Sequence, residues 1–158
     1  VPDPFRIGHG YDIHRLRKGG VLMLGGVVAA EGISAVAHSD GDVVIHAIVD
    51  ALLGALGLGD IGEHFPDSDP AYRNVASELF LKKTMAHVAA GNLIVLNCDV
   101  TIMAERPRLQ PVKKKMSELL SRVLNAPVNI KAGTNEGCGE IGRGEAIAAH
   151  AVVLLGRA

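Results

Sequence analysis

The sequence predicts strands and helices built on one sheet, and three observations carry that prediction. Residues 5–13 near the start and the apolar run 147–155 near the end suit strands. Residues 93–103 alternate, with Leu96, Cys98, Val100 and Ile102 set against Asn97, Asp99 and Thr101, the period of a half-buried strand. Between these lie segments of helical period, the clearest being Val112, Met116, Leu119, Leu120 and Val123. Periodicity alone leaves 147–155 open between a buried strand and a helix. Strands on either side of several helices favour a strand that completes the sheet. No repeat or linker interrupts the chain, so residues 1–158 are expected to form one domain.

In chain order, residues 21–24 and 27–30 suggest further extended chain after the first strand, with a turn or bulge at Gly25-Gly26. The polar loop His38-Ser-Asp-Gly-Asp42 runs into a helix over 43–56, with Ser39 or Asp40 available as its N-cap. Gly57 and Gly59 suit its C-terminal end. An acid-rich loop over 63–70 follows. A helix over 72–90 carries Leu81, Met85 and Val88 at three/four spacing and closes at Gly91-Asn92. Pro111 fits the first turn of the next helix, and Lys113, Lys114 and Lys115 cover its solvated side. Residues 128–132 alternate as a strand. The small-residue loop 133–139 offers amides and the Thr134 hydroxyl to phosphate oxygens.

Composition narrows the function. The chain is 48% apolar but only 3% aromatic, so its core is built from Ala, Val, Leu and Ile. A net charge of −1 gives no field for steering nucleic acid or an anionic membrane surface, and no run is long enough for a transmembrane helix. Cys98 and Cys138 match no Cys-x-x-Cys pattern and are expected to be reduced thiols in an intracellular protein. Val1-Pro-Asp-Pro4 is neither basic nor followed by an apolar core, as a secretory signal would be. It also lacks Met, which fits a processed or trimmed form.

The chemistry centres on Asp12-x-His14. Residues two apart on a strand face the same way, so a carboxylate and an imidazole sit side by side. His46, on the 43–56 helix, could bring a third ligand from across the fold. Two histidines and one carboxylate with an open position are the ligand set of a catalytic zinc site. Asp42 and Asp50 flank His46 at four-residue spacing and are candidates to orient its second ring nitrogen. His9, His64, His87 and His150 lack ligand spacing. His38-Ser39, at a helix start, could grip an anion. Neither a Ser–His–Asp nor a Cys–His pairing is legible, nor a Walker loop or Rossmann fingerprint. A metal with phosphate-binding parts and no protein nucleophile points to chemistry on a phosphorylated substrate.

The stretches Arg6-Ile-Gly-His-Gly-Tyr-Asp-Ile-His14, Ala37-His-Ser-Asp-Gly-Asp42, Asp50-Ala-Leu-Leu-Gly54, Gly59-Asp-Ile-Gly62, Phe65-Pro-Asp-Ser-Asp69, Asp99-Val-Thr-Ile102 and Gly142-Arg-Gly-Glu145 together resemble the 2-C-methyl-D-erythritol 2,4-cyclodiphosphate synthase family. The resemblance implies a homotrimer of α+β subunits, each a mixed β-sheet with helices packed on one face, and active sites between subunits. It implies cyclisation of 4-diphosphocytidyl-2-C-methyl-D-erythritol 2-phosphate with release of CMP, in the non-mevalonate route to isoprenoids. The substrate's own 2-phosphate would attack the β-phosphorus.

Carried over by position, Asp12, His14 and His46 hold one Zn²⁺ per active site, and Glu136 helps hold Mg²⁺ or Mn²⁺ bridging the diphosphate. His38 and Thr134 match the residues that stabilise the transition state, and Ser39 lies beside the 2-phosphate. Asp60, Ile61, Gly62, Phe65, Pro66, Asp67, Ser68 and Asp69 match the erythritol-binding region, with Asp60 on its hydroxyls. Ala104, Glu105, Arg106, Pro107, Arg108, Leu109 and Gln110, with Ala132, Gly133, Thr134, Asn135 and Glu136, match the cytidine and diphosphate pocket. Glu140 and Arg143 join the substrate-binding positions near the trimer axis. Two departures are visible: relatives often carry Thr where Gly133 and Asn135 flank Thr134, and some carry an aromatic residue at the place of Glu140. The implied partners are the cytidine diphosphate substrate and two further copies of the chain, without nucleic acid or membrane. The implied compartment is the cytoplasm of a bacterium, or the plastid stroma for a processed eukaryotic form.

Two other functions fit the same residues. A zinc phosphohydrolase would use a metal-bound water and yield a linear product. A small-molecule or metal-sensing module would close its zinc site with a fourth side chain.

Overall fold

The computed structural model describes residues 5–158; residues 1–4, on which the absence of a secretory signal was read, lie outside them. The strands are β1 (Phe5–Leu24), β2 (Val27–Ala35), β3 (Leu93–Met103), β4 (Val128–Gly133) and β5 (Ala146–Arg157). The helices are α1 (Val43–Leu56), α2 (Ile61–His64), α3 (Glu78–Ala90), α4 (Gln110–Leu124) and α5 (Gly139–Gly142), with a 3₁₀ turn at Pro70–Tyr72. The sheet runs in the order β2-β1-β5-β3-β4. The β3–β4 pair is parallel and the other pairs are antiparallel, so the sheet is mixed, as expected.

Strand β1 continues well past the expected residue 13. Its first half pairs with β5, from Phe5 opposite Gly156 to Arg15 opposite Ala146, and its second half pairs with β2. A register break between Lys18 and Val21 holds Gly19 and Gly20, both at positive φ, so the strand bulges there and carries on. Leu24 then pairs with Val27 across Gly25-Gly26, whose φ values of 58° and 78° make a two-residue turn of the primed type.

Helix α1 spans the residues expected and is buried nearly all round. It sits against the β1 face that carries Gly8, Gly10, Asp12 and His14. A Cβ on Gly8 would lie 1.8 Å from the Ala51 carbonyl oxygen, and one on Gly10 would lie 1.9 Å from that of Ala47. Helix backbone therefore rests directly on strand backbone, and only glycine permits that approach. Asp42 caps α1 in place of the expected Ser39 or Asp40. Its carboxylate accepts from Val44 N and Ile45 N at 3.1 Å, and also from Gly25 N at 2.8 Å and Gly26 N at 2.7 Å. One side chain thus starts the helix and ties it to the β1–β2 turn. Burial pushes this carboxyl above the usual range, opposed by the amides of Gly26, Ile45 and Gly25.

Three further features differ from expectation. Helix α3 begins at Glu78, six residues later than expected, because Asn74 adopts φ 59° after the 3₁₀ turn. A bulge between Val95 and Asn97 moves Leu96 off the apolar face, where Val95 joins Cys98, Val100 and Ile102 instead. The four-residue α5 does not join the other helices. Its Ile141 packs with Ala146, Ala148 and Met103, separately from the main core, on the opposite side of the sheet. The rest of that opposite face, along β1 and β5, exposes Phe5, Ile7, Tyr11, Ile13 and Val152. Helix α4 matches its expected stripe, with Met116 and Leu120 fully buried. Cys98 is buried and its thiol is pushed up to about 12 by that burial; Cys138 is exposed, and both are free.

Candidate metal centre and the cavities around it

Beyond Gly8 and Gly10 on the same strand face, Asp12 and His14 project past the first turn of α1 to meet His46. His14 Nε2 lies 3.1 Å from Asp12 Oδ2, His46 Nδ1 lies 3.0 Å from the same oxygen, and the two ring nitrogens are 3.2 Å apart. Three ligand-type atoms thus converge on one point, and among the described residues no fourth His, Cys, Asp or Glu joins them. Burial disfavours charge on Asp12, but hydrogen bonds with His14 and His46 outweigh it and hold the carboxyl well below the usual carboxylate range. Burial also disfavours a charged His46, yet the Asp12 carboxylate more than offsets this and moves the ring upward. The cluster is thus an ionised carboxylate facing a His46 ring that favours positive charge, an electrostatic setting that fits a divalent cation in place of a proton.

The expected orienting partners of His46 are not the ones present. Asp42 is occupied as the α1 cap, and Asp50 accepts from Ile61 N at 2.7 Å, holding α2 beside α1. Instead His46 Nε2 lies 2.8 Å from Ser77 Oγ and 3.2 Å from Ser39 Oγ. Ser77 is 31 residues away in the chain. The expectation that a helix spans 72–90 concealed it, since Ser77 is the residue before the helix that forms.

The cluster opens into a cavity of about 460 Å³. His38, Ser39, Ile61, Gly62, Phe65, Pro66 and Asp67 line it. Ala37, which opens a motif of the family resemblance, lines it too, as do Val36, Tyr72 and Phe80, none of which was expected at the site. Phe65 and Phe80 stack at 4.7 Å between ring centres, and Tyr72 meets both rings edge-on. Phe65 belongs to a motif of the family resemblance, whereas the only signal for Tyr72 and Phe80 is that aromatic residues are so few. Asp60, Ser68 and Asp69 do not line this cavity. Asp60 caps α2 through Glu63 N at 3.0 Å, and Asp69 caps the 3₁₀ turn through Ala71 N at 2.9 Å.

A second cavity, about 240 Å³, is lined by Ala104, Glu105, Pro107, Arg108, Leu109, Gln110, Ala132, Gly133 and Thr134, with Lys113 added. It shares no residue with the first. Arg106 turns away toward the β1–β2 side, lining a third cavity with Arg17 and Lys18. Thr134 Oγ1 donates to Glu136 at 2.7 Å, next to Asn135 in the exposed loop. Arg143 is paired with Glu145 through two hydrogen bonds, at 3.0 and 3.1 Å, and lies 3.7 Å from Glu140. Within one chain, therefore, His38 and Thr134 stand at different cavities.

An α+β sheet with an open cluster of two histidines and one carboxylate, set in a cavity, defines a candidate metalloprotein with room for a ligand at the ion. The chain belongs to the YgbB family, which it matches over residues 5–156. It is 47% identical over 161 residues to the 2-C-methyl-D-erythritol 2,4-cyclodiphosphate synthase of Anaplasma phagocytophilum (strain HZ), covering 98% of this chain and 96% of that protein. Among solved structures, the bifunctional IspDF of Campylobacter jejuni superposes with a TM-score of 0.94 at 37% identity; the match covers 98% of this chain and 42% of that one. The IspF–CDP complex of Plasmodium falciparum matches with a TM-score of 0.86 at 34% identity, over 99% of both chains. The family resemblance drawn from the motifs is thereby borne out.

Proposed function

We propose that this chain converts 4-diphosphocytidyl-2-C-methyl-D-erythritol 2-phosphate to 2-C-methyl-D-erythritol 2,4-cyclodiphosphate, as a phosphorus–oxygen lyase of the non-mevalonate isoprenoid route. One observation carries this: the open Asp12, His14 and His46 cluster shares its cavity with His38, Ser39 and Ile61 in a chain of this family. In the reaction a 2-phosphate oxygen bonds to the β-phosphorus. The bond from that phosphorus to the bridging oxygen breaks, and CMP leaves with the electron pair. Because the substrate supplies the nucleophile, the protein has only to position the two phosphates and stabilise charge.

A zinc ion held by Asp12, His14 and His46, with Mg²⁺ or Mn²⁺ at Glu136, would supply Lewis acidity and a template for phosphate oxygens. In this scheme His38 and Thr134 stabilise the charge that develops during transfer. Ser39 holds the 2-phosphate. Asp60 to Gly62 and Phe65 to Asp69 enclose the erythritol, while residues 104–110 and 132–136 receive cytidine and diphosphate. Glu140 and Arg143 belong to a subsite near the subunit axis. Residues 1–158 act as one domain, in the bacterial cytoplasm or, for a plastid form, the stroma.

The active form is a homotrimer. Two features support this: an apolar stripe on the outer sheet face, where Ile7 is 72% exposed, and the separation of His38 and Thr134 into cavities with no common residue. A neighbouring copy would bring Thr134 to the metal cavity. Incubation with the cytidyl substrate and phosphorus NMR of the products tests the activity. A cyclic diphosphate with CMP is expected, whereas a linear phosphate would indicate a zinc phosphohydrolase.

A further inference from the structure

Ser77 carries a hydroxyl that the reaction scheme does not use, although it is fully buried and 2.8 Å from His46 Nε2. It stands at the N-cap of α3, where a serine oxygen ordinarily accepts from the first amides of its own helix. It makes no such bond. Instead its hydroxyl donates to Asp40 Oδ1, and its backbone N–H donates to Asp40 Oδ2 at 3.0 Å. The loop carrying His38 and Ser39 is joined to the same segment by two backbone bonds, Asp40 N to Val75 O at 3.3 Å and Asn74 N to His38 O at 2.8 Å.

These bonds have a direction. The Asp40 carboxylate faces three donors, Asp42 N, Ser77 N and Ser77 Oγ, so it accepts throughout; the Ser77 proton is committed to it and the Ser77 oxygen is left as an acceptor. Toward Ser77, its nearer partner, His46 Nε2 is then the donor, and Ser39 Oγ, 3.2 Å from the same nitrogen, is left to accept as well. A neutral imidazole carries one ring proton, so Nδ1 keeps its lone pair, and Nδ1 is the atom that faces Asp12 and His14. We propose that Ser77 and Asp40 are positioning residues for the metal centre: they fix the His46 tautomer and make Nδ1 its ligating atom. The inference rests on the metal role assigned to the cluster under the proposed function. Outer partners of a ligating histidine commonly tune metal affinity about 10- to 100-fold.

The test compares zinc affinity, by competition with a chromophoric chelator, in the full-length wild type and in Ser77→Ala, Asp40→Asn and His14→Ala. Long-range proton–nitrogen NMR of the metal-free proteins, at a pH high enough for His46 to be neutral, locates its one ring proton. Wild type should carry it on Nε2. Ser77→Ala should bind zinc about 10- to 100-fold more weakly with an unchanged circular-dichroism spectrum. In Asp40→Asn the amide oxygen keeps the shorter bond, from Ser77 N at 3.0 Å rather than from Asp42 N at 3.3 Å, so the amide NH₂ faces Oγ. The hydroxyl then turns to donate to His46, and the ring proton should move to Nδ1 with a similar loss of affinity. Affinity within about twofold of wild type in both variants overturns the relay, as does a wild-type proton on Nδ1. His14→Ala separates the two claims: lost zinc binding there keeps the metal centre even if the relay fails, and unchanged binding removes both. If Ser77→Ala does not fold, the wild-type ring spectrum and Asp40→Asn still decide.

Discussion

Single atoms decide the properties of the cluster. His46 contributes Nδ1 at 3.0 Å from Asp12, and no further His, Cys, Asp or Glu among the described residues joins the cluster. His46→Ala should abolish cyclase turnover while the far-ultraviolet circular dichroism remains that of the wild type. Turnover at the wild-type level would remove His46 from the metal site. Gly10 matters just as sharply without touching the ion. A methyl group there would lie 1.9 Å from the Ala47 carbonyl oxygen, so the helix must lift off the strand. Overpacked cores lose about 1–3 kcal/mol, and Gly10→Ala should fall at or above the top of that range because backbone, not a rotatable side chain, is in the way. Urea unfolding measures this, and an unshifted midpoint would contradict the close seating of α1.

The elements are held by caps and turns, and here the sequence was only partly legible. The period-two logic of Asp12-x-His14 and the limits of α1 and β3 could be read directly because apolar spacing is a local property. The cap of α1 was misassigned because Ser39, Asp40 and Asp42 are all capping residues within four positions. What separates them is a tertiary fact, the arrival of the Gly25 and Gly26 amides at the Asp42 carboxylate. Ser77 and the bulge at Leu96 were invisible for the same reason: each is defined by a partner on another element. Asp42→Ala tests the cap. Losing an N-cap costs about 0.5–2 kcal/mol, and stranding buried amides of the turn adds roughly 1–3 kcal/mol. A loss of roughly 2–4 kcal/mol is expected from chemical denaturation, with Asp42→Asn retaining part of it. A change below about 0.5 kcal/mol would mean that water replaces the carboxylate.

At the scale of the whole molecule, the two cavities and the apolar stripe make one prediction. Sedimentation should give a particle near three times the 16.5 kDa of the chain. Ile7→Glu places a charge on the most exposed large apolar residue of the stripe, and should shift the protein toward monomer. The monomer should still bind zinc through Asp12, His14 and His46 but lose turnover, because His38 and Thr134 line separate cavities within one chain. An active monomer would show that a single chain completes the site. The seating of α1 on Gly8 and Gly10 has a consequence for how such variants are interpreted. The distance from His46 to the strand is set by one main chain resting on another, so repacking of side chains elsewhere in the core does not retune it. The centre is insulated from drift in the apolar interior. Trimming Leu52 or Leu120 should therefore weaken the fold long before it changes the fit of the ion.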